Sequence, residues 1–367
     1  MLKYNQSETQ PPQLIEHTAF CPMPYQKMII NAWGSISLCC HHGSGQIGNI
    51  KTCKNLLEAW NSPLAQEVRK VTDTGSLHKI CQDAPNCPFH VATKWKLPVT
   101  FPVHENMKYP LNLEIDLPDR WCNIGGENPS DDNPACIMCI RNHQFPKNQP
   151  DLTELICEKA RELMPYIKVF SVLGVAEPFW KNITFDIFDK VNYSQFKENI
   201  IFETNHNVTC FGEKTQIRFL EEVCYSKLQF SIDAASKITY RKIRRLDAYD
   251  LVINNIKLWM KNKNPNHKVI IWNNINVINV HEMTQMVEVA HDLRVDQIIM
   301  LPTHNQNNRV DLGEMLICRK NIDIFIEESE RAMIRAKELG VDLQYGTPFN
   351  ALPNEPKVDL VQLSINR

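Results

Sequence analysis

From about residue 108 onward the chain alternates short runs of β-forming apolar residues with segments of helical period, and this rhythm limits its fold more than any other feature. The runs are "LNLEID" (111–116), "KVFSVLG" (168–174), "IIFETN" (200–205), "LQFSID" (228–233), "KVIIWNN" (268–274) and "QIIMLP" (297–302). Between them, Ala248, Val252, Ile256 and Trp259 recur on one helical face of 247–261, as do Met283, Met286, Ala290 and Leu293 of 281–293. A last helix is predicted near 322–339, ending at Gly340, a residue suited to the left-handed position past a helix end. Six strand-plus-helix units of this kind pair as a parallel sheet through right-handed crossovers, either open and doubly wound or curled into a partial barrel.

Residues 1–100 lack that rhythm. They hold six of the thirteen cysteines, turn signals such as "AWGS" and "HHGSGQIG", and one predicted helix, "KNLLEAWNSPLAQEVRKV". A small cysteine-dense domain of this kind has little core of its own and needs a metal staple. The join falls near the Pro-punctuated "KLPVTFPVHENMKYP" (96–110). The expected organisation is 1–100, 108–345 and a tail, 346–367.

Charge and hydropathy narrow the function. A formal net charge of −2 gives no electrostatic reason to expect nucleic acid or an anionic membrane as partner. The N-terminus "MLKYNQSETQPPQLIEH" has no apolar leader core, and no run reaches the eighteen apolar residues that span a bilayer, so the expected place is the cytoplasm. There thiols stay reduced; grouped cysteines suggest metal, and the isolated Cys157, Cys210, Cys224 and Cys318 suggest small core hydrophobes.

The grouped cysteines and the unusual polar residues fall together on the six-unit map. Cys122 follows the first strand, with Cys136 and Cys139 in "CIMC" after a polar loop; "GVAEP" (174–178) follows the second; Thr204 and Asn205 end the third; Ser231 and Asp233 end the fourth. The C-terminal strand ends of a parallel α/β fold form its ligand face. Three soft thiolates suit an iron–sulfur cluster with one iron left open for a ligand, or zinc completed by a His such as His143.

These motifs resemble the radical S-adenosylmethionine superfamily over roughly residues 108–305. Its signature spaces three cysteines with three and then two residues between them; here the second gap is kept and the first is thirteen. "GVAEP" resembles the glycine-rich motif that holds the methionine amino group, implying roles for Gly174 and Glu177. "TN" resembles the start of a Thr-Asn-Gly turn, with His206 in place of the Gly. "SIDAASKITYRKIRR" (231–245) resembles the Ser-x-Asp and Tyr-x-x-x-Arg segment of the peptide-modifying branch. The resemblance thus implies Gly174, Glu177, Asn205, Ser231, Asp233 and Arg244 around S-adenosylmethionine, and Cys122, Cys136 and Cys139 on a [4Fe-4S] cluster.

Residues 15–95 resemble a second element, the SPASM auxiliary-cluster domain: "WGSISLC" with Gly34 and Cys39, then "CQDAPNC". Cys21, Cys39, Cys81 and Cys87 are its implied ligands. His78 and Val91 stand where further cysteines are expected, so one auxiliary [4Fe-4S] cluster is implied, in a domain that here precedes the barrel. The resemblance implies an α/β fold, a partial (β/α)6 TIM-like barrel preceded by the small cysteine-rich domain. It also implies radical hydrogen abstraction from a peptide or protein side chain, with a flavodoxin- or ferredoxin-like electron donor. A carbohydrate or aminoglycoside-like alcohol is the alternative substrate, and a non-catalytic zinc-stabilised scaffold the alternative class.

Overall fold

The computed structural model describes residues 16–19, 21–40, 45–82, 87, 101–104, 108–117, 136–139, 151–174, 176–303 and 322–345. Its strands are β1 (Glu16–Ala19), β2 (Lys27–Ile30), β3 (Ser35–Ser37), β4 (Gln46–Asn49), β5 (Phe101–His104), β6 (Asn112–Leu117), β7 (Val169–Gly174), β8 (Ile201–Glu203), β9 (Asn205–His206), β10 (Lys227–Ser231), β11 (Lys268–Ile275), β12 (Gln297–Pro302) and β13 (Leu343–Tyr345). Strands β1 and β5 form an antiparallel ribbon. The others form two sheets, ordered β4-β3-β2-β6-β7-β8 and β13-β12-β11-β10-β9. Pairing is parallel throughout from β2 to β8 and from β9 to β13, and antiparallel only in the β2-β3-β4 meander. Thr204 alone separates β8 from β9, and a parallel bridge between Phe202 and Tyr225 links the two sheets.

All six predicted strand runs are strands, and the chain is a mixed α/β fold with parallel sheets, as the alternation of strand and helix periods requires. Leu113, Ile115 and Leu117 of β6, Phe170 and Val172 of β7, Leu228 and Phe230 of β10, and Ile298 and Met300 of β12 enter one continuous apolar core. The alternate residues Glu114, Asp116, Ser171, Asn205, Ser231 and Asn274 give the opposite side of the sheet its polar character, because successive side chains of a strand point to opposite faces. On the core side the helix Tyr249–Asn262 buries Val252, Asn255, Ile256 and Trp259. The helix Ile322–Leu339 ends where predicted, with Gly340 at φ +69.

The N-terminal segment departs from expectation in two ways. The stretch 54–71 is not one helix: Leu56–Trp60 and Pro63–Asp73 are separate, because Ser62 caps the second by accepting from Ala65 N–H while Pro63 supplies no N–H to continue the first. Nor is its apolar content confined to itself. β2 extends the β6 sheet edge, and Met28, Ile30, Ile36, Leu56 and Trp60 are part of the same core as the C-terminal strands. Lys159 donates to the Cys53 carbonyl and Glu162 accepts from Leu56 N–H, fastening this segment to the chain around helix Thr153–Ala160. Among the isolated cysteines Cys157 is fully buried, as expected, whereas Cys224 is exposed, because it stands in the turn leading into β10.

Gly34 turns β2 into β3 at φ +84, and a Cβ there would run into Ile50 Cγ2 and come within 3.1 Å of Leu152 Cδ1. Left-handed backbone costs about 1–2 kcal/mol for a residue with a Cβ, and overpacking about 1–3 kcal/mol. Gly34→Ala is therefore expected to destabilise the fold by about 2 kcal/mol or more in urea unfolding; an unchanged midpoint would contradict the close approach.

Candidate functional site

The C-terminal strand ends gather a set of polar side chains. β7 ends at Gly174, which lies opposite Leu117 of β6, and Glu177 follows three residues later, 1% exposed. Its Oε2 accepts from the Asn207 N–H at 2.9 Å. Burial pushes the Glu177 carboxyl up to about 7, opposed by the N–H groups of Asn207 and Phe179 and by Arg244. Thr204 ties β9 to β7 by donating to the Val172 carbonyl, and Ser231 at the end of β10 donates to Asn205 Oδ1 at 2.7 Å.

Asp233 and Arg244 form a buried ion pair, Oδ2 to Nη2 2.5 Å, with side chains 0% and 8% exposed. Asp233 Oδ1 also accepts from the Asn274 N–H at 2.9 Å. The pair lies against the described thiols: Arg244 Nη1 is 3.8 Å from Cys136 Sγ, and Ile137 N–H donates to the Ile243 carbonyl. Desolvation pushes the Cys136 thiol up to about 11 against the pull of Arg244, with Cys139 and Asp233 adding to the rise. The structure therefore brings Cys136, Cys139, Asp233 and Arg244 together, with Glu177 within electrostatic reach of Arg244. Cys122 and His143, invoked above as the third thiol and the alternative zinc ligand, lie outside the described residues, as does the tail 346–367.

Sequence reasoning missed the residues that hold this set in place. Glu282 accepts from Ala235 N–H, Ser236 Oγ and Thr239 Oγ1, fixing the start of the helix Lys237–Arg244 that carries Arg244. Asn279 donates to the carbonyls of both Asp233 and Asn274. The run "NNINVIN" (273–279), which closes β11 and continues past it, was the available signal, since buried Asn side chains demand such partners.

In the N-terminal segment Cys21 and Cys87 are buried and Cys81 is partly so. Desolvation pushes the Cys21 thiol up to about 12 and that of Cys81 to about 11, and Cys87 raises both. Cys39 and Cys40 act instead on Lys27, whose ammonium pairs with Glu114 of β6 at 2.5 Å. Among the described residues no group of three or more Cys, His, Asp and Glu is arranged as a metal site. The donor chemistry nonetheless fits a soft metal: thiols whose anions would repel one another in a desolvated setting are what metal binding deprotonates and neutralises. His78, at the position of an expected cysteine, is buried and bonded to Glu67 at 2.9 Å, which lowers the Glu67 pKa. No described helix is long and apolar enough to cross a membrane.

Comparison with known proteins adds the following. No curated protein sequence matches the chain. SuiB of Streptococcus suis bound to S-adenosylmethionine superposes with a TM-score of 0.46 at 14% identity, over 92% of this chain and 76% of SuiB. SuiB bound to the precursor peptide SuiA gives 0.46 at 13%, over 65% of this chain, which spans about half, 49%, of that one. anSMEcpe with bound AdoMet and the Cp18Cys peptide gives 0.47 at 14%, over 64% of this chain and 63% of the other. Residues 21–88 match the family described as SPASM, an iron–sulfur cluster-binding domain. That match falls within residues 15–95, where the cysteine motifs placed the SPASM element, so this part of the chain is similar to an iron–sulfur cluster-binding domain.

Proposed function

We propose that the chain is a radical S-adenosylmethionine enzyme in which residues 108–345 form a partial (β/α)6 barrel and residues 1–100 an auxiliary-cluster domain. The observation that carries the reading is the meeting of Cys136 and Cys139 with the Asp233–Arg244 pair, within reach of Glu177, where Glu177 and Asp233 follow the C-terminal ends of the parallel strands β7 and β10. Cys122, Cys136 and Cys139 would hold a [4Fe-4S] cluster with one open iron; Cys21, Cys39, Cys81 and Cys87 would fill all four positions of the auxiliary one. Bound together, a cluster reduced by an electron donor and S-adenosylmethionine would supply one-electron cleavage of the sulfonium C–S bond to methionine and a 5′-deoxyadenosyl radical able to take hydrogen from an unactivated C–H bond.

The protein's own residues have narrower tasks. Glu177 offers a buried carboxylate to the cofactor's ammonium, with Gly174 letting the backbone approach and Asn205 and Ser231 presenting polar groups from neighbouring strands. Arg244 places a cation beside the thiolates, and Asp233 keeps that cation in position. The substrate is a peptide or protein side chain, a reading that rests on the Ser-x-Asp and Tyr-x-x-x-Arg segment. A flavodoxin- or ferredoxin-like donor is supported by charge: Lys237, Arg241, Lys242 and Arg245 are exposed on the helix whose inner side carries Arg244.

The test is anaerobic reconstitution with iron and sulfide, followed by reduction with S-adenosylmethionine present. Iron and sulfide in equal amounts, with slow release of 5′-deoxyadenosine, are expected. Stoichiometric zinc without sulfide would favour the zinc-stabilised scaffold and end the enzyme reading.

A further inference from the structure

His206 is an unexpected residue where it stands. Its ring packs against Phe179, Phe211 and Phe230 with centroids 4.9, 4.7 and 4.9 Å away, and only 2% of it is exposed. Neither ring nitrogen has a hydrogen-bond partner among the described residues, so the imidazole bears its desolvation uncompensated where a phenylalanine would fill the same aromatic box. Nδ1 faces one polar atom at 3.8 Å, Oε1 of Glu177, a buried oxygen that also lacks a hydrogen-bond partner among the described residues. The other carboxylate oxygen is held by the N–H of Asn207, the very next residue. Residues 206 and 207 thus stand against both oxygens of Glu177.

We propose that His206 is a positioning residue: as a neutral imidazole protonated on Nδ1 it donates to Glu177 Oε1 once that carboxyl ionises, and so aims the carboxylate at the ammonium of S-adenosylmethionine. The inference rests on the reading of Glu177 given above. Closing 3.8 Å to a hydrogen bond takes less than about 1 Å of carboxylate movement, and the hydrogen bond so formed is charge-assisted.

The electrostatics agree. Burial holds the His206 imidazole down at about 3, so it stays neutral in working conditions, and the proton that titrates is the one on Glu177, near 7. The groups facing Glu177 are Arg244 and Tyr240 from helix Lys237–Arg244, Cys210 beyond β9, His206 itself and the N–H groups of Asn207 and Phe179. Burial keeps the Cys210 thiol up at about 12 and the Tyr240 phenol higher, so both are neutral at pH 6–8 and Arg244 is the charge that Glu177 faces. A raised carboxyl is protonated, and unable to hold an ammonium, below its pKa. Cofactor affinity should therefore fall about tenfold per pH unit below about 7 and level off above it.

The experiment is calorimetric titration of reconstituted, non-turning-over protein with S-adenosylmethionine from pH 6 to 8.5. In His206→Phe, which fits the phenylalanine box, the midpoint of the affinity profile is expected about one unit higher, with binding about tenfold weaker at pH 7. His206→Gln, whose amide can donate to Oε1, should recover most of both, and Glu177→Gln should flatten the profile. If His206→Phe keeps the parent's midpoint and affinity, or His206→Gln behaves no better than it, the positioning role is overturned. Failure of the parent to bind, or parent-like binding by Glu177→Gln, would overturn the ammonium assignment instead, and with it this inference.

Discussion

Replacing Cys136 and Cys139 together by alanine is expected to bring release of 5′-deoxyadenosine down to the background of reductant and cofactor alone, and to remove about half of the bound iron. Loss on that scale follows from the geometry around Cys136. The thiol is 5% exposed, and Arg244 Nη1 stands 3.8 Å from its sulfur. An alanine there keeps the backbone contact of Ile137 with Ile243 and changes little volume, so the fold should survive while the donor set does not. Two readouts make the result decisive. Iron should fall by about half, because in the proposed assignment Cys21, Cys39, Cys81 and Cys87 would still hold an auxiliary cluster, and the thermal midpoint of the iron-free protein should move little. Undiminished cleavage in the double variant would remove these thiols from the site, and loss of all the iron would mean that one cluster, not two, is shared by the cysteine groups.

How much of this was legible in the sequence depended on how local each signal was. The longer parallel strands were readable because alternate residues enter the apolar core: "QIIMLP" and "LQFSID" carry the required alternation within six residues. β2, β3 and β4 were not, because strands of three or four residues have no measurable period, and "KMII" becomes a strand only by pairing with β6. The helix 54–71 was overextended because its apolar spacing continues across Ser62-Pro63, where capping chemistry overrides it. The same division holds at the site. Glu177, Asp233 and Arg244 stand out as charged residues at or after strand ends, whereas Glu282 supports them from 38 positions beyond Arg244, through hydrogen bonds that only the tertiary fold creates. His206 was visible as a departure from a glycine, but its phenylalanine surroundings come from three separate elements.

Asp233→Ala is expected to lower the unfolding free energy by about 3–5 kcal/mol, the range found when one partner of a buried ion pair is removed. Two losses add up at this position. The Arg244 guanidinium loses its carboxylate while its side chain remains 8% exposed. The Asn274 N–H loses the acceptor that Asp233 Oδ1 provides at 2.9 Å. The contacts of the Asp233 carbonyl with Asn279 survive, because they are made by the backbone, so the damage should stay local to the helix end carrying Arg244. Asp233→Asn retains an oxygen for Asn274 and should cost less than alanine, while the double change Asp233→Leu/Arg244→Met should recover much of the loss, since an apolar pair carries no desolvated charge. Urea unfolding of the four proteins measures this directly. A parent-like midpoint for Asp233→Ala would mean that the ion pair does not hold Arg244. Equal losses in the alanine and double variants would mean that the cost comes from Asn274 and packing, leaving the buried charge with no part in it.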